Sequence, residues 1–152
     1  MTTELQKKLI EEYHQFFTTE REIYTGEIPT LEEVRKLLNQ EKMVLPIQFG
    51  IECGDGWYML LDNLMGSIES HLNPENSWPR KERVPLQIDQ IKEKFGGLRF
   101  YYSGGTDRVT GMVDFAERLS YCICEHCGST KNVRQTKGWI KTLCEDCMEK
   151  QK

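Results

Sequence analysis

The sequence predicts an α+β fold: a helical N-terminal part, a small antiparallel sheet and a C-terminal module built around four cysteines. Three observations carry that prediction. Apolar residues recur at helical spacing in several separate segments. One aromatic-rich block, Leu98–Ser103, alternates like a strand and is bracketed by glycine pairs. Four of the six cysteines crowd into two C-x-x-C pairs near the C-terminal end. The expected organisation is an acidic helical segment over residues 1–48, an α+β core over 49–121 and a cysteine module over 122–152.

Taken in order, "TELQKKLIEEYHQFF" places Leu5, Leu9, Tyr13 and Phe16 on one helical face. "PTLEEVRKLLNQ" reads as a second helix, with Thr30 as N-cap, Glu33 completing a capping box and Leu31, Val34, Leu37 and Leu38 as its stripe. "GIECGDGWYMLLDNLMGSIESHL" opens with a turn and continues as a helix from about Gly56 to Leu72. Its face is Trp57, Leu60, Leu61, Leu64, Ile68 and Leu72, and Asn73-Pro74 stops it. A polar, proline-containing loop follows. Residues 84–95 are ambiguous: Val84, Leu86 and Ile88 alternate, whereas Ile88, Ile91 and Phe95 have helical spacing. The narrower preference is strand, then a turn at Phe95-Gly96-Gly97. In "LRFYYS", Leu98, Phe100 and Tyr102 face one way and Arg99 and Tyr101 the other. Thr106 then caps a helix to about Tyr121 whose stripe is Val109, Met112, Val113, Ala116 and Leu119.

At 152 residues the chain is long enough for one domain with a small appendage. A hydrophobic fraction of 38%, with six Phe, six Tyr and three Trp, argues against disorder. The net charge of -4 and pI near 5.5 argue against a uniformly basic nucleic-acid binder, though not against a local basic patch. Residues 1–52 carry ten Glu against six Lys or Arg, so the negative balance sits there. No run of 18 apolar residues is present, and the N-terminus lacks a secretory h-region, so the cytoplasm is the expected location. In that compartment paired cysteines point to metal rather than to disulfides.

Cys124 and Cys127 form one pair, Cys144 and Cys147 the other, and sixteen residues separate them. Two thiolates three positions apart on a tight turn can hold one ion, and two such turns complete a tetrahedron with Zn–S near about 2.3 Å. Gly128 supplies the positive φ such a knuckle uses. "NVRQT", Lys137-Gly138 and "WIKTL" read as a short hairpin, and "CEDCMEKQK" begins a helix with Glu145 and Asp146 in its first turn. This order resembles a treble-clef zinc finger; the spacing also suits a zinc ribbon. Four cysteine ligands leave no open position, so the expected zinc is single and structural. The segment from Tyr121 onward has too few apolar residues for a core of its own, whereas structural zinc contributes about 10–16 kcal/mol in zinc-finger peptides. Cys122 and His126 are the neighbours most easily mistaken for ligands, and both are read as bystanders.

Between the pairs lie Lys131, Arg134, Lys137 and Lys141, with Trp139 among them and no acidic residue. Such a hairpin can follow a phosphate backbone and stack a base. The plainer expectation is a solvated hairpin whose Trp139 packs on the knuckle. "GDGW" is not a phosphate-loop fingerprint, and Asp55 is expected to cap the helix that follows. Asp55 and Asp62, seven apart, could share a helical face. Cys53 is expected to be a buried thiol, and His14, His71 and His126 show no triad or metal spacing.

"GIECGDGWYMLLDNL", "IKEKFGGLRFYYSGG" and "CEHCG…KGWIKTLCEDC", in that order over residues 49–147, resemble small proteins of phages, prophages and bacteria. The resemblance implies a zinc-binding accessory protein carried by a phage and supplies no reaction, substrate or partner. The combined expectation is a non-enzymatic, zinc-stabilised binding protein. It would be a protein-interaction or regulatory factor acting on a host protein in the cytoplasm. Nucleic-acid binding through Lys131, Arg134, Lys137, Trp139 and Lys141 is the alternative.

Overall fold

The structure, a computed structural model, describes residues 1–17, 30, 32, 50–76 and 84–150. The second helix expected around Leu31–Leu38 lies outside the described residues, as does most of the loop before residue 84. Helix α1 spans Thr3–Glu12, and a 3-10 turn at His14–Phe16 follows it. Strand β1 is Ile51–Glu52. A 3-10 turn at Asp55–Trp57 leads into α2, Tyr58–Leu72. Strands β2, Leu86–Lys94, and β3, Gly97–Gly104, form a hairpin, and α3 spans Asp107–Ser120. The chain then makes β4, Val133–Gln135, β5, Thr142–Cys144, and the short α4, Glu145–Glu149. None of the described helices is long and apolar enough to cross a membrane.

This is the α+β architecture that the patterning predicts. The first sheet runs β1-β2-β3, with β2 and β3 antiparallel; the two residues of β1 add a parallel edge, so the sheet is mixed. The second sheet is the β4-β5 antiparallel pair. Residues 86–94 are strand, and the bulge in them explains their helical look. The register shifts between Ile88 and Gln90, so Ile88 and Ile91, three apart, both end up buried. Phe95 is not a continuation of that row. It and Gly96 form the two-residue hairpin loop, both at positive φ (53° and 75°), with Phe95 exposed.

One core takes the apolar faces of α1, α2, α3 and the sheet. Leu9, Ile10, Trp57, Leu61, Ile68, Ile88, Ile91, Leu98 and Val109 are among its buried members. All six predicted face residues of α2 are buried. The start of α1 is tied to β1 by polar contacts: the Ile51 N–H donates to Gln6 Oε1 at 3.0 Å, and the Met1 ammonium donates to the Cys53 carbonyl. Thr106 caps α3 as expected, its hydroxyl accepting from the Val109 N–H.

The end of α3 differs from the predicted stripe. Leu119 is 37% exposed, whereas Ser120 is fully buried. Ser120 Oγ accepts from the Leu98 N–H at 2.9 Å and donates to the Glu117 carbonyl at 2.6 Å, satisfying a strand amide inside the core. Replacing Ser120 with Ala strands that amide and should cost about 1–3 kcal/mol in urea unfolding. Leu119→Ala should stay within about 1 kcal/mol of the parent.

Candidate metal centre

The four cysteines of the two pairs arrive from three elements. Cys124 and Cys127 sit on a turn closed by the Gly128 N–H donating to the Cys124 carbonyl and the Cys124 N–H donating to the Ser129 carbonyl, both at 2.8 Å. Gly128 holds φ at 76°, the positive value expected of it. Cys144 ends β5 and is the N-cap of α4, and Cys147 lies in the first turn of that helix. The second pair thus sits on a strand end and a helix start rather than on another turn. Strand β5 is shorter than the predicted "WIKTL": Trp139 to Lys141 belong to the loop, which Thr136 closes by donating to the Trp139 carbonyl and accepting from the Lys141 N–H.

All four sulfurs lie within 4.8 Å of one another. Cys127 and Cys144 sulfurs are 3.6 Å apart. That is far from the ~2.05 Å of a disulfide and close to the ~3.8 Å edge of a tetrahedron with Zn–S of about 2.3 Å. The cluster is suited to a zinc module, and Cys122 and His126 stay outside it. Burial works to raise the Cys124 thiol. Hydrogen bonds from the backbone of Cys144, Cys127 and His126 outweigh it and bring the thiol down to about 7, whereas burial and hydrogen bonds with the neighbouring thiols push the Cys147 thiol up. The sixth cysteine, Cys53, is buried as expected, and burial pushes its thiol up to about 12.

The two glycine motifs acquire a role that their sequences do not announce. The Gly54 N–H donates to Glu125 Oε1 at 2.9 Å and the Gly56 N–H to the Glu125 carbonyl at 2.8 Å. The Trp57 indole N–H donates to the Ile123 carbonyl at 2.9 Å. A Cβ on Gly56 would stand 2.2 Å from the Cys124 carbonyl oxygen and 2.4 Å from the Gly128 nitrogen. "GDGW" is therefore a seat for the cysteine turn. On the other side, Thr142 Oγ1 donates to the Gly96 carbonyl and Gln135 Nε2 to the Phe95 carbonyl, so "KFGG" seats the β4-β5 hairpin. Asp55 does not cap α2: the cap position is Trp57, and Asp55 Oδ1 instead accepts from the Thr2 N–H at 2.6 Å. Asp62 accepts from the Tyr13 hydroxyl at 2.8 Å, so the two aspartates serve separate contacts with the α1 segment.

Of the predicted contact residues, Arg134, Lys137, Trp139 and Lys141 line one cleft of about 620 Å³ with Gln135, Thr136 and Met148; Lys131 does not. Trp139 is 80% exposed and does not pack on the knuckle, contrary to the plainer expectation. The Thr136 hydroxyl holds its carbonyl in the tip loop, and the indole lies outside the module's small interior. Glu125 is the contact that sequence reasoning missed. No spacing in the sequence assigns it a role, yet it is buried, its Oε1 accepts from the Gly54 N–H, and its Oε2 has no hydrogen-bond partner among the described residues. Burial raises its carboxyl, against the Gly54 N–H.

No family model, curated protein or solved structure matches the chain.

Gly56→Ala forces a methyl group between two backbones and should destabilise the protein by about 3 kcal/mol and speed metal loss to a chelator. Gly111→Ala, an exposed site on α3 with nothing within 4 Å, should stabilise it by about 1 kcal/mol. Urea unfolding and metal-release kinetics on the two variants check both.

Proposed function

We propose that the chain is a non-enzymatic, zinc-stabilised binding protein, in which Cys124, Cys127, Cys144 and Cys147 hold one structural Zn²⁺. The observation that carries the reading is the mutual closeness of the four sulfurs on a turn and a helix start. Four thiolates fill the tetrahedron, which leaves no position for water or substrate and makes the ion a strut. The strut fixes the β4-β5 hairpin against the core, and a fixed surface is what a binding protein needs.

Of the two partner classes, a protein and a nucleic acid, the hairpin surface favours the second. An exposed indole beside Arg134, Lys137 and Lys141 suits an anionic partner with flat faces. Carriage by a phage, and action in a host cytoplasm, belong to this proposal and stand on the three sequence blocks alone. A regulatory role belongs to it too, resting on the closed four-cysteine site and the acidic segment over residues 1–48.

Elemental analysis should find one zinc per chain, retained in Cys53→Ser and lost in Cys144→Ser. Because the core uses the module to satisfy Gly54, Gly56 and Trp57, Cys144→Ser should also lower the thermal midpoint of the α+β core. Full zinc in Cys144→Ser, or its loss in Cys53→Ser, refutes the ligand set. Capture from a lysate with and without nuclease separates the partner classes. Retention of neither class, in a form that depends on Trp139, counts against a binding role.

A further inference from the structure

We infer that two hairpin tips from distant parts of the chain form one binding surface for single-stranded nucleic acid, with Phe95 and Trp139 as its stacking platforms. The inference rests on the reading of the chain as a zinc-stabilised binding protein and adds to it a partner and a second element.

The β2-β3 tip and the β4-β5 tip lie side by side. Gln135 donates to the Phe95 carbonyl at 3.1 Å, and a Cβ on Gly96 would meet Ile140 Cγ2 at 3.1 Å. Each tip presents an aromatic ring to solvent: Phe95 is 66% exposed and Trp139 80%. Cations accompany each ring. Lys94 Nζ stands 5.6 Å from the centre of the Phe95 ring, and Arg134, Lys137 and Lys141 share the cleft with Trp139. Arg134 is also 3.8 Å from Glu145, an exposed pair that water screens. No acidic residue lies between Cys127 and Cys144, although the chain as a whole is negative.

Phe95 supplies the independent observation. The first position of a two-residue hairpin loop with positive φ favours Asn, Asp or Gly, and a bulky side chain there is an outlier. Phe95 occupies it at φ 53° and buries little of its ring. Neither turn chemistry nor core packing explains a phenylalanine at this position. A ring held in water beside a lysine, next to a second exposed ring in a basic cleft, matches the needs of a strand whose bases stack while its phosphates meet cations. A duplex keeps its base faces stacked inside and offers a stacking ring nothing to lie on.

The test uses the zinc-loaded full chain and fluorescence anisotropy with a labelled oligothymidine and, in parallel, a duplex of the same length. The oligothymidine should bind with micromolar affinity at low salt, more tightly than the duplex, and weaken steeply as salt rises. Trp139→Ala and Phe95→Asn should each weaken binding roughly tenfold, and the Lys137→Glu/Lys141→Glu double variant should weaken it more. Phe95→Asn is the decisive variant, because asparagine suits the turn and should leave zinc content unchanged and resistance to urea equal or slightly higher. Equal affinity for duplex, unaltered binding by Phe95→Asn, or no binding at micromolar protein overturns the inference. Capture of an acidic protein that survives nuclease and depends on Trp139 also overturns it, while leaving the zinc-stabilised binding protein intact.

Discussion

The amide of Gly56 meets the carbonyl of Glu125 at 2.8 Å, inside a space that a single methyl group would fill. The rest of the arrangement depends on that approach. The backbone of the 54–57 turn lies against the backbone of the cysteine turn, so each supplies partners the other lacks. The core gives up two amides and an indole N–H; the module gives up two carbonyls and a carboxylate oxygen. None of these groups could be buried alone without a desolvation cost of about 1–3 kcal/mol each.

The second seat completes the clamp. The hairpin at Phe95-Gly96 offers its two carbonyls to Gln135 and Thr142, and the Glu125 N–H donates to the Thr142 carbonyl at 2.9 Å. Thr142 thus bridges the core turn and the cysteine turn, which explains why a hydroxyl is fully buried there. The module's own apolar interior is Leu143 and three of its cysteines, with Val133 and Met148 packed beside them. That interior is too small to hold a fold, so docking on the core supplies what apolar burial does not, and an ion on the four thiols would add to it.

The regular parts were legible in the sequence because they obey period and spacing. The α2 face, the Thr106 cap and the cysteine spacing each follow from local chemistry that one chain displays in order. The bulge in β2 makes residues 84–95 ambiguous in sequence, because one extra residue turns an alternating row into a spacing of three, and the narrower preference for strand holds. Leu119 and Ser120 exchanged roles because a strand amide, invisible in sequence, needed a hydroxyl more than the core needed another leucine. "GDGW" and "KFGG" read as turns, and turns they are; what they seat lies dozens of positions away, and no local pattern encodes a contact of that range. The usual behaviour of tryptophan points Trp139 inward, and the tip loop holds it outward.

The pairing of Gly54 with Glu125 joins residues 71 positions apart. During synthesis the turn emerges first and Glu125 follows only after those positions are translated, several seconds later at about 5–20 residues per second. Through that interval Trp57 and its neighbours have no lid. The nascent chain therefore carries its 54–57 seat unfilled until the cysteine turn has been made, and where the four thiols hold an ion, the supply of that ion would condition the yield of folded chain as well as its stability.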